Sequence, residues 1–147
     1  LKEFEGMWYL FAFVDELKAF RTFGLDRIHN LIVTDEPFQR EKVLEKVAEK
    51  FNQVYGLVYE PDNNSNTPIE EVKLKVSETM LHYLNALPLH HSQTINENIL
   101  TLCLIINPEL ENKIISYGEH IEVLSPIHLR ERIKQRLLKA LSQYERL

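Results

Sequence analysis

Four glycines, one cysteine and no long apolar run bound what this 147-residue chain can be. Gly6, Gly24, Gly56 and Gly118 stand isolated. Phosphate loops and dinucleotide fingerprints need clustered glycines, so that backbone amides can approach phosphate, and both are excluded. No Gly-x-Ser-x-Gly elbow occurs either, which removes that route to a strained nucleophile. With Cys103 alone, an intrachain disulfide is impossible and nothing points to an oxidising compartment. Cys103 sits inside the apolar run Ile99 to Ile106 and is expected to be a buried, inert thiol. A reactive thiol needs the opposite, an electropositive and partly open setting. No stretch reaches the roughly 18 to 20 apolar residues of a membrane span. The opening Leu1-Lys2-Glu3-Phe4-Glu5 has no basic region followed by an apolar block, so no signal peptide is read. A cytoplasmic location is expected. Positive charge is scarce as well: 17 Lys and Arg face 22 Asp and Glu, a net charge of -5. A domain that grips duplex DNA is usually basic, and this one is not. The chain opens with Leu1 rather than an initiator methionine and is expected to be cut from something longer.

What is present is a globular composition, 44% hydrophobic and 27% charged, enough for one domain or two small lobes. Met7 to Val14 is aromatic and β-branched and reads as a buried strand, with Ala19 to Phe23 returning after a polar turn. Asn30 to Thr34 is a third strand candidate. Short strands with tight connections predict a small barrel or curled sheet. From Arg40 to Tyr55 the apolar period becomes helical, and Gly56 is expected to supply the left-handed end. Glu60 to Pro68 is polar and turn-forming and marks the boundary between a lobe at 1–59 and a lobe at 69–147.

The second lobe alternates apolar and charged residues at Val72, Leu74 and Val76, a half-buried strand. Ser77 is placed to cap a helix running to about Leu87, where Pro88 stops it. Ser92 to Asn96 and Ile99 to Ile106 read as paired strands. Asn107-Pro108-Glu109 is a helix start, and Gly118 ends that helix. A strand at Ile121 and Val123 follows, and Ser125-Pro126 opens a long helix with Leu129, Ile133, Leu137 and Leu141 on one face. The order strand-helix-strand-strand-helix-strand is the ferredoxin-like pattern, with one helix added. The predicted class is α+β.

Catalytic chemistry finds no constellation. The six histidines lack metal-ligand spacing, and adjacent His90 and His91 would point to opposite faces of a strand. Asp26, between Leu25 and Arg27 in an apolar stretch, is expected to be paired with an arginine, and a paired carboxylate is a poor general base. No catalytic, metal or cofactor residue is assigned, and an enzyme is not expected.

The informative run is Trp8-Tyr9-Leu10 followed by Arg21-Thr22-Phe23-Gly24-Leu25-Asp26-Arg27-Ile28. It sets two arginines among aromatics in an apolar, β-rich setting. Guanidinium groups buried there would need partners. Two arrangements fit: a pocket for a small anion or nucleotide, or a packed hairpin whose arginines pair with Asp26 and backbone carbonyls.

The triplet Trp8-Tyr9-Leu10, with Arg21-x-Phe23-x-Leu25-Asp26-Arg27-Ile28 at hairpin distance, resembles the WYL-domain family. The stretch Pro88 to Gln93, and Gly118 with Ile121 to Pro126 before a last helix, resembles that family's C-terminal extension. The resemblance implies an Sm-like (SH3-like) small barrel, possibly incomplete, followed by a ferredoxin-like extension. It implies the effector-sensing, non-catalytic part of a bacterial transcription regulator, whose operator DNA is held by an N-terminal helix-turn-helix absent here. It implies a nucleotide or single-stranded nucleic-acid ligand at Tyr9, Arg21 and Arg27, with Trp8 and Phe23 as packing or stacking neighbours, and a homodimer. Two departures stand out. Gly24 occupies a position where relatives often carry a further Arg, so the pocket has less positive charge. The chain also starts just before the triplet, so the barrel's first strand is expected to be missing or truncated, leaving an open sheet edge. The alternative reading is a dimerisation or interaction module with no small ligand. The last helix supports it: Ile127 to Leu147 carries six Lys and Arg against two acids beside a Leu/Ile stripe, although a solvated basic face near a helix C-terminus is the preferred explanation of that excess.

Overall fold

A computed structural model describes residues 1–37, 42–59 and 67–145. The break at Glu60 to Pro68 therefore lies, up to residue 66, outside the described residues, as does the expected helix start at Arg40.

The first sheet is a three-stranded meander in the order β1 (Lys2–Phe4), β2 (Met7–Val14), β3 (Ala19–Gly24), all antiparallel. Glu5 and Gly6 join β1 to β2 with φ of 52° and 80°. Two residues at positive φ make the turn whose twist matches paired strands. Phe4 faces Met7 across it, and the Gly6 amide donates to the Glu3 carboxylate at 2.7 Å. The residues of β2 that face inward alternate as period two requires: Phe11 stacks between Phe20 and Phe51, at centroid distances of 4.8 and 4.1 Å. Phe51 comes from α1 (Lys42–Phe51), which covers this face. Val47, Phe51, Val54, Tyr59 and Ile105 close this smaller core.

The second sheet runs β5-β6-β4-β7, built from β4 (Glu70–Val76), β5 (Thr94–Asn96), β6 (Ile99–Leu104) and β7 (Ile121–Ser125), again antiparallel. Val72, Leu74 and Val76 alternate into the core with Leu100, Leu102 and Leu104 beside them. Three helices cover that face: α2 (Glu78–Ala86) with Leu84, α3 (Pro108–Ser116) with Leu110 and Ile114, and α4 (Ile127–Tyr144) with Leu129 and Ile133. Asn107 caps α3 as read, its side-chain oxygen accepting from the Leu110 amide at 2.9 Å, and Gly118 follows the helix at φ 55°. The molecule is thus α+β, with two antiparallel sheets and four α-helices among the described residues.

Several expectations need correction. Asn30 to Thr34 forms no strand: the segment is irregular, with Leu31 78% and Val33 89% exposed. Among the described residues no strand pairs with it, and an unpaired strand leaves its backbone groups to water. The helix read to Tyr55 stops at Phe51, because Val54 forms a parallel bridge with Ile105 instead. Gly56 is left-handed, at φ 74°, but it lies beyond that end and serves a different contact. Ser77 precedes α2 without a side-chain cap bond; its hydroxyl meets His120 Nδ1 at 3.1 Å. Cys103 is exposed. A solid apolar run reads as a strand buried on both faces, whereas β6 buries only Leu100, Leu102 and Leu104. Leu137 and Leu141 share the face of Leu129 and Ile133 but are exposed, since α4 outruns the sheet it covers.

Candidate functional site

In an antiparallel pair, directly opposed residues share a face. The register Tyr9↔Gly24, Leu10↔Phe23 and Ala12↔Arg21 therefore sorts the signature residues. Trp8, Phe23 and Arg21 lie on the outer face of the first sheet, and Tyr9 lies on the inner face, the one that carries Phe11. Trp8 is 54% and Phe23 40% exposed, Arg21 is exposed too, and Tyr9 is buried. Phe23 is a diagonal neighbour of Trp8, within the reach of aromatic side chains. Arg27 follows in a 3-10 turn, Leu25–Arg27. Its guanidinium lies over Gly24: a Cβ there would come within 2.7 Å of both Arg27 Nη2 and Asp26 Oδ1. Gly24 thus leaves room for the Arg27–Asp26 pair on Tyr9's side of the strand. The five residues form two groups, Trp8-Arg21-Phe23 outside and Tyr9-Arg27 inside, rather than one pocket.

The arginines are not buried, contrary to the expectation that made them costly. Arg21 donates to its neighbour's carbonyl, Phe20 O, at 2.8 Å, and Arg27 stands 4.0 Å from a largely exposed Asp26. Apolar neighbours in sequence do not bury a residue whose strand face meets water. Exposed ion pairs of this kind contribute about 0 to 1 kcal/mol, so both guanidinium groups retain donors for a ligand.

The sequence reading missed a strap. Residues 52–58, which follow α1, are tied to both halves of the molecule, with most of the bonds coming from residues 90–109 of the second half. His90 Nε2 meets Asn52 O at 3.1 Å, so that nitrogen carries the proton, and the Ile105 amide donates to Gln53 O at 2.7 Å. Asn107 Nδ2 donates to Tyr55 O and Val58 O at 2.8 and 2.9 Å. Glu109 accepts from the Leu57 and Val58 amides at 2.6 and 2.7 Å, with its carboxylate packed where a Cβ on Gly56 would stand. From the other side Lys2 Nζ donates to Phe51 O and Val54 O at 3.2 and 2.7 Å. Burial pulls the Lys2 amine down to about 8 despite the attraction of Glu109, and burial likewise lowers His90. Asn107-Pro108-Glu109 gave a signal, but it reads locally as a helix cap, and its second use spans some fifty residues of chain.

A cavity of about 1070 Å³ opens beside this strap, and none of the five signature residues lines it. His90 and His91 lie at its edge in a turn, not a strand, with ring centres 4.0 Å apart. Among the described residues, no group of three or more His, Cys, Asp or Glu is arranged to hold a metal ion. Among them, too, no helix is long and apolar enough to cross a membrane.

Residues 68–141, half of the chain, match the family described as the WCX domain. No curated protein matches the chain.

Proposed function

Because the chain belongs to the WCX-domain family, the C-terminal extension of WYL-type regulators, we propose that it is the non-catalytic, effector-sensing part of a transcriptional regulator. The ligand is a nucleotide or a short single-stranded nucleic acid, bound on the outer face of the first sheet. One observation carries this reading: Trp8 and Phe23 are exposed on the sheet face that also carries Arg21. Exposed rings stack on bases at about 1 to 3 kcal/mol each, and guanidinium groups pair with phosphate. A nucleic-acid strand that runs on over the end of β3 would reach Arg27, which is exposed there on Tyr9's side of the sheet, and Tyr9 supports the sheet from beneath. In this reading residues 1–59 are an incomplete SH3-like barrel and residues 69–147 a ferredoxin-like lobe, whose sheet order β5-β6-β4-β7 matches that topology. Operator DNA would be held by a helix-turn-helix outside these residues.

The test is fluorescence anisotropy with a labelled eight-nucleotide oligothymidine. Arg21→Ala/Arg27→Ala is expected to weaken binding at least tenfold. Equal affinity in wild type and variant would remove the site.

A second reading, a homodimer built through the second lobe, is favoured by the far half of α4. There Leu137, Leu138 and Leu141 are exposed along a groove that Ile121, Val123 and Ile133 also line, next to Arg130, which pairs with Glu122 at 2.8 Å within the chain. An exposed apolar strip on one helix face suits a contact with the same strip of a second copy.

A further inference from the structure

The edge strand β1 adds a carboxylate to the outer face of the first sheet. Glu3 lies directly opposite Trp8 in the register of β1 and β2, so the two share that face, with Cβ atoms about 4.5 to 5.5 Å apart. Both are exposed. The Glu3 side chain is held in place, its Oε1 accepting the Gly6 amide at 2.7 Å across the turn that joins the strands. One such bond leaves further acceptor sites on the two oxygens. Arg21 stands on the same face toward the other end. It lies opposite Ala12, four residues along β2 from Trp8, or about 13 Å at the rise of a strand. Phe23, opposite Leu10, lies between them. The face thus presents groups in a fixed order: carboxylate, indole, phenyl ring, guanidinium.

A base stacked on Trp8 would turn an edge toward Glu3, and the bases differ in what they offer there. Guanine carries two adjacent donors, N1–H and N2–H, which a carboxylate accepts together as it accepts the two donors of an arginine fork. Adenine offers one amino group beside a ring acceptor. Thymine offers N3–H between two carbonyl oxygens, which a carboxylate repels. Phosphate is repelled by Glu3 too, and is drawn to Arg21 at the far end. We propose, resting on the sheet-face reading above, that this face selects guanine: the base stacks on Trp8, its N1–H and N2–H donate to the Glu3 carboxylate, and a phosphate of the same strand lies at Arg21. Stacking and charge serve every base alike, and Glu3 makes the choice between them.

Calorimetry on the whole chain with four tetranucleotides tests this: tetrathymidylate, and the same tetramer with one thymine replaced by guanine, adenine or hypoxanthine. The guanine tetramer is expected to bind about tenfold more tightly than tetrathymidylate and the adenine tetramer, within the range a bidentate base contact gives. Adenine controls for the stronger stacking of any purine. Hypoxanthine is guanine without the N2 amino group and should lose most of the gain. Glu3→Gln keeps an oxygen for the Gly6 amide but turns an NH2 group toward the base, donor against donor. It should bring the guanine and adenine tetramers within about twofold of each other, and leave tetrathymidylate bound at least as tightly as by wild type. A guanine tetramer bound no more tightly than the adenine one, or a guanine preference that survives Glu3→Gln, would overturn the choice of guanine and leave the sheet-face reading standing. Binding by none of the four would overturn both.

Discussion

Lys2 Nζ sits against the last carbonyls of α1, Phe51 O and Val54 O, and over the Phe51 ring at 4.8 Å. A cation there complements a helix C-terminus, yet burial lowers its pKa from 10.5 to about 8. The sign of the linkage follows. Between about pH 8 and 10.5 the unfolded chain holds the proton and the folded chain does not, so the contribution of Lys2 to stability rises with pH across that window. Tyr55 and Tyr117, which burial pushes up to about 12, act oppositely, losing stability as pH climbs from 10 toward 12, so the measurement belongs below pH 9.5. Denaturant unfolding of wild type and Lys2→Met should show wild type gaining on the variant from pH 7.5 to 9.5. A constant difference would refute the burial of that amine. At this scale the sequence was legible where a residue acts on its neighbours, as Asn107 does in capping α3. It was opaque where partners lie far along the chain. Glu109, Lys2 and Gly56 meet only because two elements cross, and nothing local to any of them encodes that crossing.

Among elements, those with clean periodicity were readable. The alternation of β4 and the cap-proline-acid start of α3 each fix a face or an end by local chemistry. The misreadings came from apolar runs, which have no period to betray their surroundings. Leu31, Ile32 and Val33 could not report that no strand among the described residues pairs with them, nor could Ile99 to Leu104 report that Cys103 is exposed. The α4 stripe was read correctly as one face, but its length against the sheet was not in the sequence. The exposed Leu137 and Leu141 therefore mark where the homodimer reading is tested. Leu137→Glu/Leu141→Glu keeps the helical propensity of the segment and adds two charges to the proposed seam. Sedimentation should turn a wild-type dimer into a monomer with unchanged far-ultraviolet circular dichroism. A variant that stays dimeric would place the seam elsewhere.

The whole molecule has two cores joined by a strap. The larger lies between the second sheet and α2, α3 and α4, and the smaller between the first sheet and α1, with Ile105 of the second half filling it. Such a joint gives ligand binding on either half a physical route to the other, because residues 52–58 cannot move without breaking bonds to Asn107, Glu109 and His90. Coupling of this kind is typically about 1 to 3 kcal/mol. The sequence put the aromatics and Arg21 of the candidate site on two neighbouring strands, but their division between two sheet faces follows only from the register.

The central claim is that the outer face of the first sheet stacks bases, and the chain's single tryptophan reports on that face. Trp8 emission should be titrated with a short oligothymidine at several salt concentrations. The account predicts quenching that saturates, with an affinity falling as salt rises at a log–log slope of about -1.4, as two phosphates on single-stranded nucleic acid would give. Trp8 emission that stays unchanged up to a saturating excess of oligonucleotide would contradict it.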